Sequence, residues 1–161
     1  EADQDLNSAM QDSVNWYFQA IDSQLGINRV QEFLNKIEYG NQTTSSNLDL
    51  YWSDFSLKIS PLEQVTLLKK FNTNEFHLNS QNVFSVKNAI KIASTPNGNF
   101  YGKTGTGRVN GQDINGWFIG YVETSDNSYY FATNIQSDSN ATGKKAFEIT
   151  SDILKKLHIW N

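Results

Sequence analysis

The sequence predicts an α+β fold in which helices come first, an antiparallel sheet follows and a last helix packs on the sheet. Apolar residues recur at three- and four-residue spacing through most of the first 92 positions, which indicates helices. Between Phe100 and Gln136, three segments are rich in aromatic and β-branched residues, which indicates strands. The helical spacing returns after Gly143.

Two helices are predicted in the first 40 residues. The first runs from about Asn7 to Leu25 and ends at Gly26, because glycine commonly ends a helix. Asn28 is placed to cap a second helix, whose apolar positions extend to Ile37. The apolar face of the first helix consists of Met10, Val14, Tyr17, Phe18, Ile21 and Leu25. The stretch from Thr43 to Asn47 is rich in Asn and Ser and is predicted to be a loop.

Two further helices are predicted before the sheet. Ser60-Pro61-Leu62-Glu63 is a typical helix start, in which the serine caps, the proline occupies the first turn and the glutamate reaches back to the cap. This helix is predicted to run to about Phe71. Another is predicted from about Ser80 to Ile92.

The predicted sheet is a meander of three strands, at Phe100 to Thr104, Gly116 to Glu123 and Ser128 to Gln136. Ser125-Asp126-Asn127 separates the last two strands and indicates a hairpin turn. A closing helix is predicted from about Gly143 to Leu157, with one apolar face that can pack on the sheet.

Composition excludes several classes of function. The 161 residues suffice for one domain with a core. The net charge of −4 and the scattered basic residues argue against nucleic-acid binding, which requires clustered Lys and Arg. The absence of cysteine excludes a disulfide, a thiol nucleophile and a thiolate metal site. The sequence has no apolar run of about 18 residues, yet a membrane-anchored parent protein remains open.

Lys103-Thr104-Gly105 lies at the end of a predicted strand and is followed by Thr106 and Gly107. A lysine there can place its ammonium in a cleft, and a threonine hydroxyl can bind a carboxylate. Glycine lets a ligand approach the strand backbone and pair with its edge. The alternative is an ordinary surface strand followed by a glycine turn.

Two shorter motifs also have ordinary structural explanations. The side chains of Ser13 and Asn15, two apart in a regular helix, point about 200° away from each other. They can line one cavity only if the helix begins or breaks there; otherwise they are two polar positions on a half-buried helix. Tyr39-Gly40-Asn41 follows the second predicted helix, where a glycine cap and a turn-forming Asn are also common.

Together, in this order and spacing, the three motifs are specific. The chain resembles the penicillin-recognising serine proteins, in which Ser-x-x-Lys is followed by Ser-x-Asn or Ser-x-Val and then by Lys-Thr-Gly. Tyr39-Gly40-Asn41 points to the class D β-lactamase branch. Within that branch the segments at residues 13–18, 57–60, 101–107 and 115–122 are similar to the sensor domains of bacterial β-lactam sensor-transducers. The resemblance covers nearly the whole chain.

The resemblance implies a β-lactamase/transpeptidase-like fold, with residues 1–161 as the C-terminal part of a single penicillin-binding sensor domain. The family's nucleophile is the serine of Ser-x-x-Lys, and no serine in this chain has a lysine three residues later. We therefore expect that serine, and the lysine that is N-carboxylated by CO₂ in class D enzymes, in an N-terminal segment outside the chain. The parent protein is expected in the bacterial membrane, with this domain on the extracellular face.

The resemblance also implies roles for the remaining motif residues. Ser13 would pass a proton to the departing lactam nitrogen. Lys103 would orient Ser13 and raise the local positive potential. Thr104 would bind the antibiotic's carboxylate beside Gly105, and the Thr106 N–H would form half of the oxyanion hole. Trp52 would pack over the active-site lysine. Tyr39 and Asn41 would shape the loop beside it.

Asn15 distinguishes a sensor from a hydrolase. The hydrolytic class D enzymes usually have an aliphatic residue at this position, and an apolar wall disfavours the charged form of a buried lysine. The carboxamide of Asn15 can instead accept a hydrogen bond from a lysine ammonium, which removes the base that deacylation requires. We therefore expect a domain that is acylated and deacylates slowly. The alternatives are a class D β-lactamase and a penicillin-binding transpeptidase.

The sequence departs from the class D pattern at one position. Class D enzymes typically carry a late arginine that also binds the carboxylate, and the stretch from Ser137 to Lys145 contains none. Carboxylate binding then depends on Thr104 and Thr106, while Arg108 cannot be placed from the sequence. His77 and His158 are far apart and have no carboxylate pair at ligand spacing, so we expect no metal and no dissociable cofactor.

Overall fold

The structure is a computed structural model that describes residues 3–44, 51–53 and 55–160. Its elements confirm the predicted α+β class. In chain order they are α1 (Leu6–Gln11), α2 (Asn15–Leu25), α3 (Ile27–Lys36), α4 (Pro61–Asn72), α5 (Ser80–Ala89), β1 (Lys91–Thr95), β2 (Gly98–Val109), β3 (Gln112–Thr124), β4 (Ser128–Gln136) and α6 (Gly143–Lys156). Within the described ranges, no helix is both long and apolar enough to cross a membrane.

Several element boundaries differ from the predicted ones. The first predicted helix is in fact two helices, α1 and α2, because the helical conformation is interrupted at residues 12–14. Helix α3 begins at Ile27 behind Gly26, so Asn28 lies inside the helix and does not cap it. Helix α5 ends at Ala89, and the residues predicted to continue it form β1. Part of the predicted loop, residues 45–47, lies outside the described ranges.

The chain contacts divide the molecule into two compact units. The first consists of Glu1–Glu63 with Lys70–Ile90, and the second of Gln64–Lys69 with Lys91–Asn161. In the first unit, Val30 and Leu34 of α3 form a buried cluster with Tyr51. Tyr39, Trp52 and Leu57 pack against that cluster.

The second unit contains a four-stranded antiparallel sheet in the order β1-β2-β3-β4. Strands β2 and β3 pair along almost their full length, from Gly98 opposite Thr124 to Val109 opposite Gln112. Helix α6 packs on one face of the sheet. Side chains alternate between the faces of a strand, so this face carries the buried rings of Phe100 and Phe118. Ala146 and Leu154 of α6 complete the core.

Candidate functional site

The Lys-Thr-Gly segment lies on a part of β2 that β1 does not cover. The pairing between β1 and β2 runs only from Gly98, opposite Thr95, to Tyr101, opposite Lys91. Beyond Tyr101, the described residues place no further strand against that side of β2. The backbone from Lys103 onward therefore lies at a sheet edge, where an extended ligand can pair with it.

Lys103 is half-buried, and its ammonium stays close to the strand. The Lys103 Nζ donates a hydrogen bond to the backbone carbonyl of Thr104 over 2.8 Å. Burial lowers the pKa of the Lys103 ammonium below its usual value of 10.5, because desolvation penalises the charged form. By strand alternation, Lys103 projects on the same sheet face as Tyr101, opposite the face that α6 covers.

The first turn of α6 lies directly against Thr104, Gly105 and Thr106. The N–H of Gly143 donates to the Thr106 hydroxyl over 2.9 Å. A Cβ added at Gly143 would lie 2.6 Å from the carbonyl oxygen of Gly105 and 2.9 Å from the Cβ of Thr104. Only glycine at position 143 permits this approach, so α6 begins in direct contact with the strand that carries the motif.

Arg108, which the sequence alone could not place, forms a cross-strand ion pair. Its Nε lies 2.7 Å from the Asp113 Oδ1, and the two residues face each other across β2 and β3. The pKa of Arg108 is raised, first by this hydrogen bond and then by the charge of Asp113. The guanidinium of Arg108 is thus already engaged by a carboxylate of the chain itself.

In the first unit, Ser13 and Asn15 lie at the break that the sequence argument required. Ser13 adopts a left-handed backbone conformation with φ 55°, between the end of α1 and the start of α2. Asn15 is the first residue of α2. Because Ser13 is outside the helix, the angle of about 200° between helical side chains does not apply to this pair. Both side chains are exposed.

Tyr39-Gly40-Asn41 closes onto the segment at residues 56–58. The Asn41 Nδ2 donates to the carbonyl of Ser56 over 2.8 Å, and its Oδ1 accepts from the N–H of Lys58 over 2.9 Å. The N–H of Asn41 donates to the carbonyl of Lys58 over 2.9 Å. A Cβ at Gly40 would overlap that carbonyl oxygen. The motif therefore has a structural role, because it ties the end of α3 to residues 56–58.

Trp52 and Tyr39 pack against the same buried cluster of the first unit. Burial raises the pKa of the Tyr39 phenol. Tyr51, which the sequence argument did not single out, lies at the centre of this cluster and donates its hydroxyl to the Asp22 Oδ2 over 3.2 Å. No spacing rule in the sequence pairs Tyr51 with Asp22, which lies 29 positions away. The sequence predicted a helix start near Gly143 but not its contact with the Lys-Thr-Gly strand.

The structure thus groups the predicted site residues within each unit. The first unit brings Tyr39 and Trp52 together, holds Asn41 against residues 56–58 and places Ser13 and Asn15 at a helix start. The second unit holds Lys103, Thr104, Gly105 and Thr106 on one strand. The roles assigned to these residues stay predictions.

Comparison with known proteins identifies the family. Residues 1–155 match the penicillin binding protein transpeptidase domain. The chain is 45% identical to the methicillin resistance mecR1 protein of Staphylococcus aureus, over 98% of the chain and 27% of that protein. It therefore spans about a quarter of this relative.

Two solved structures are also similar. The C-terminal domain of the Bacillus licheniformis BlaR penicillin-receptor superposes with a TM-score of 0.93 at 47% identity, over 98% of this chain and 64% of that one. A class D β-lactamase from Bacillus subtilis superposes with a TM-score of 0.88 at 37% identity, over 96% of this chain and 63% of that one. The family match covers almost the whole chain, and these neighbours agree with it. The chain belongs to the penicillin binding protein transpeptidase domain family.

Proposed function

We propose that this chain is part of a β-lactam sensor domain, which penicillins acylate and which deacylates slowly, so that a persistent acyl group reports the antibiotic. The acylated serine is supplied by a Ser-x-x-Lys segment outside the chain. The domain acts on the extracellular face of the bacterial membrane, within a membrane-anchored parent protein, and induces resistance genes. It requires no metal and no dissociable cofactor.

The observation that carries this proposal is the position of Asn15. It is the first residue of α2 and directly follows the break that holds Ser13. A carboxamide at this place, next to a general-acid hydroxyl, stabilises a lysine ammonium and so removes the base needed to hydrolyse the acyl group. The similarity to a penicillin-receptor domain and to a methicillin resistance protein supports the same function.

The remaining contacts support roles in acylation. The open edge of β2 can pair with the amide of an extended β-lactam, and the half-buried Lys103 supplies a cation beside it. Because residues 137–145 contain no arginine, the ligand's carboxylate depends on the hydroxyls of Thr104 and Thr106. The Nε of Arg108 is already paired with Asp113. The N–H of Thr106 provides half of the oxyanion hole.

A class D β-lactamase is the second candidate, favoured by the similarity to the Bacillus subtilis enzyme. The two functions differ only in the fate of the acyl group. A sensor retains it, whereas a hydrolase releases it quickly and turns over.

The test uses the longer protein that contains this chain and a Ser-x-x-Lys serine. Intact mass spectrometry after addition of benzylpenicillin should show one covalent adduct that persists long after excess antibiotic is removed. Nitrocefin should give a burst of one equivalent and little turnover. An adduct that disappears at once with fast nitrocefin turnover would select the β-lactamase, and the absence of any adduct would refute both candidates.

A further inference from the structure

In the first unit, both the backbone carbonyl and the side-chain hydroxyl of Tyr51 form hydrogen bonds. Its backbone carbonyl accepts hydrogen bonds from the Ser56 Oγ and from the N–H of Leu57, both over 3.0 Å. Its hydroxyl donates to the Asp22 Oδ2 on α2 over 3.2 Å. The residue is 8% exposed and its ring packs on α3. Tyr51 therefore joins the turn at residues 51–53, and the residues 56–57 that bond to its carbonyl, to α2.

The face of α2 that Tyr51 contacts also carries Asn15. Residues seven positions apart lie on the same side of a helix, so Asp22 and Asn15 are aligned about 10 Å apart along the helix axis. At the other end of the contact, Trp52 directly follows Tyr51 and packs in the same cluster. The Tyr51 hydroxyl thus links the turn that presents Trp52 to the helix that presents Asn15.

The chemistry of the Tyr51–Asp22 hydrogen bond favours the arrangement in which the two residues stay paired. A buried phenol without a partner is costly, and a hydrogen bond to a carboxylate is stronger than one to a neutral acceptor. Burial and the Asp22 charge raise the pKa of Tyr51, so the phenol remains protonated and remains a donor across the working pH range. If Tyr51 lost Asp22 while its ring stayed buried, its hydroxyl would lose a hydrogen bond to a charged acceptor, so the paired arrangement is favoured.

We propose that the Tyr51–Asp22 hydrogen bond is a positioning contact that fixes Trp52 relative to Asn15 and thereby prolongs the lifetime of the acyl group. This inference rests on the proposed sensor function and on the resemblance, which implies that Trp52 packs over the active-site lysine. When the contact is lost, Trp52 is no longer held in a fixed position relative to Asn15, so the lysine is stabilised less strongly as an ammonium and more of it is available as the base for deacylation. Deacylation then accelerates, while the residues that perform acylation are unchanged.

Three variants of the longer protein separate the hydroxyl, the charge and the acceptor. Tyr51→Phe removes only the hydroxyl, Asp22→Leu removes the acceptor and Asp22→Asn keeps an acceptor without charge. Tyr129→Phe, on β4 in the second unit, is the matched control for loss of a tyrosine hydroxyl. For each protein, the acylation rate constant and the deacylation rate are measured with a fluorescent penicillin, together with the midpoint of thermal unfolding.

Tyr51→Phe and Asp22→Leu should shorten the acyl lifetime by roughly two- to tenfold, the usual effect of one hydrogen bond. Their acylation rate constants should stay within roughly twofold of the parent. Asp22→Asn should restore most of the lifetime, and the double variant Tyr51→Phe/Asp22→Leu should be no worse than either single one.

Unchanged lifetimes, or lifetimes that follow only the unfolding midpoint and are equally short in the control, would overturn this inference and leave the sensor function standing. A parent protein that penicillin does not acylate would overturn the proposed function itself, and the inference with it.

Discussion

Position 15 decides the fate of the acyl group in the proposed mechanism, because it is the first side chain of α2 after the break at Ser13. Asn15→Val in the longer protein replaces a hydrogen-bond acceptor by an apolar wall. The neutral, CO₂-reactive lysine is then favoured, and a base becomes available for deacylation. We expect the acyl lifetime to fall by roughly tenfold or more, as measured by loss of the adduct in intact mass spectra.

Asn28→Val is the control, since Asn28 is an exposed residue in the first turn of α3. Its acyl lifetime should equal that of the parent. An Asn15→Val protein with an unchanged lifetime would remove the carboxamide from the explanation of slow deacylation.

Gly40 can be tested against another glycine with a similar backbone. Gly40 and Gly111 both have positive φ, but a Cβ overlaps the carbonyl of Lys58 only at position 40, while position 111 has no atom within 4 Å. Gly111→Ala should cost about 1 to 2 kcal/mol of unfolding free energy, the penalty for a left-handed residue. Gly40→Ala should cost about 3 kcal/mol or more, because the clash adds to that penalty. Urea unfolding measures both, and equal losses would contradict the clash.

The lowered pKa of Lys103 predicts an alkaline limit on acylation. Burial disfavours the ammonium, so the proton is lost at a pH below the usual 10.5. The acylation rate constant should therefore decline as pH rises through that lower pKa. Lys103→Arg keeps a cation and should move the decline to higher pH. A decline at the same pH in both proteins would assign it to another group.

The lowered pKa of Lys103 also affects stability, but in the opposite direction: acylation declines as pH rises, whereas stability increases. Between the folded pKa and 10.5, the unfolded chain binds more protons at Lys103 than the folded chain does. The contribution of Lys103 to the unfolding free energy therefore rises with pH through that window.

At the level of elements, the sequence predicted the order of helices and strands but not their number. It predicted five helices and three strands, whereas the described residues form six helices and four strands, because the break between α1 and α2 and the strand β1 were missed. The apolar spacing of Met10, Val14 and Phe18 continues across the break between α1 and α2, so periodicity alone predicts one helix. The break is a backbone event, at a serine in a left-handed conformation, and no glycine or proline marks it.

The end of α5 was misplaced for a related reason. Ile90 lies four residues after Val86 and so continues the helical spacing, yet Lys91 begins β1 opposite Tyr101. Pairing with β2, the next strand along the chain, decided that assignment. Pro96 and Asn97 lie between Thr95 and Gly98 and are typical turn residues, so the sequence contained a hairpin signal that the helix prediction overlooked. The strand pairing also extended β2 and β3 beyond the predicted ends, because Val109 and Gln112 can continue the ladder around a tight turn.

Helix α6 offers a prediction at this scale, since its start is in contact with the Lys-Thr-Gly strand. Thr142 caps it by accepting a hydrogen bond from the N–H of Lys145 over 3.1 Å. Thr142→Ala should lower the unfolding free energy by about 1 kcal/mol, while Thr142→Ser keeps the hydroxyl and should cost far less. Chemical denaturation of the two variants measures the difference, and equal losses would show that packing of the threonine methyl matters more than the cap.

For the whole molecule, the motifs predicted the family while the contacts within each unit had to come from the structure. Ser13, Tyr39 and Lys103 together define a pattern in the sequence. The engagement of Arg108 by Asp113, the approach of Gly143 to the strand and the Tyr51–Asp22 hydrogen bond join residues that no spacing rule connects. Charge and composition exclude classes of function, whereas these contacts are visible only in the folded geometry.

The core of the second unit gives a test that separates folding from chemistry. Phe118 is 1% exposed and packs with the rings of Phe100, Phe131 and Phe147. Phe118→Ala should cost about 3 to 5 kcal/mol, a large part of the total stability of about 5 to 15 kcal/mol that is typical of domains. Phe84→Ala, at an exposed position, should change stability by less than about 0.5 kcal/mol.

In the longer protein, the Phe118→Ala substitution should reduce the fraction of molecules that a saturating penicillin can acylate. The acylation rate constant of the molecules that remain folded should fall far less than the active fraction, because Lys103 projects from the opposite sheet face and Thr104, which pairs with Phe118, is the one Lys-Thr-Gly side chain on the same face. Titration with a fluorescent penicillin gives the active fraction, and stopped-flow mixing gives the rate constant. A lowered rate constant at full active fraction would instead mean that the packing under α6 controls the geometry of the Lys-Thr-Gly edge.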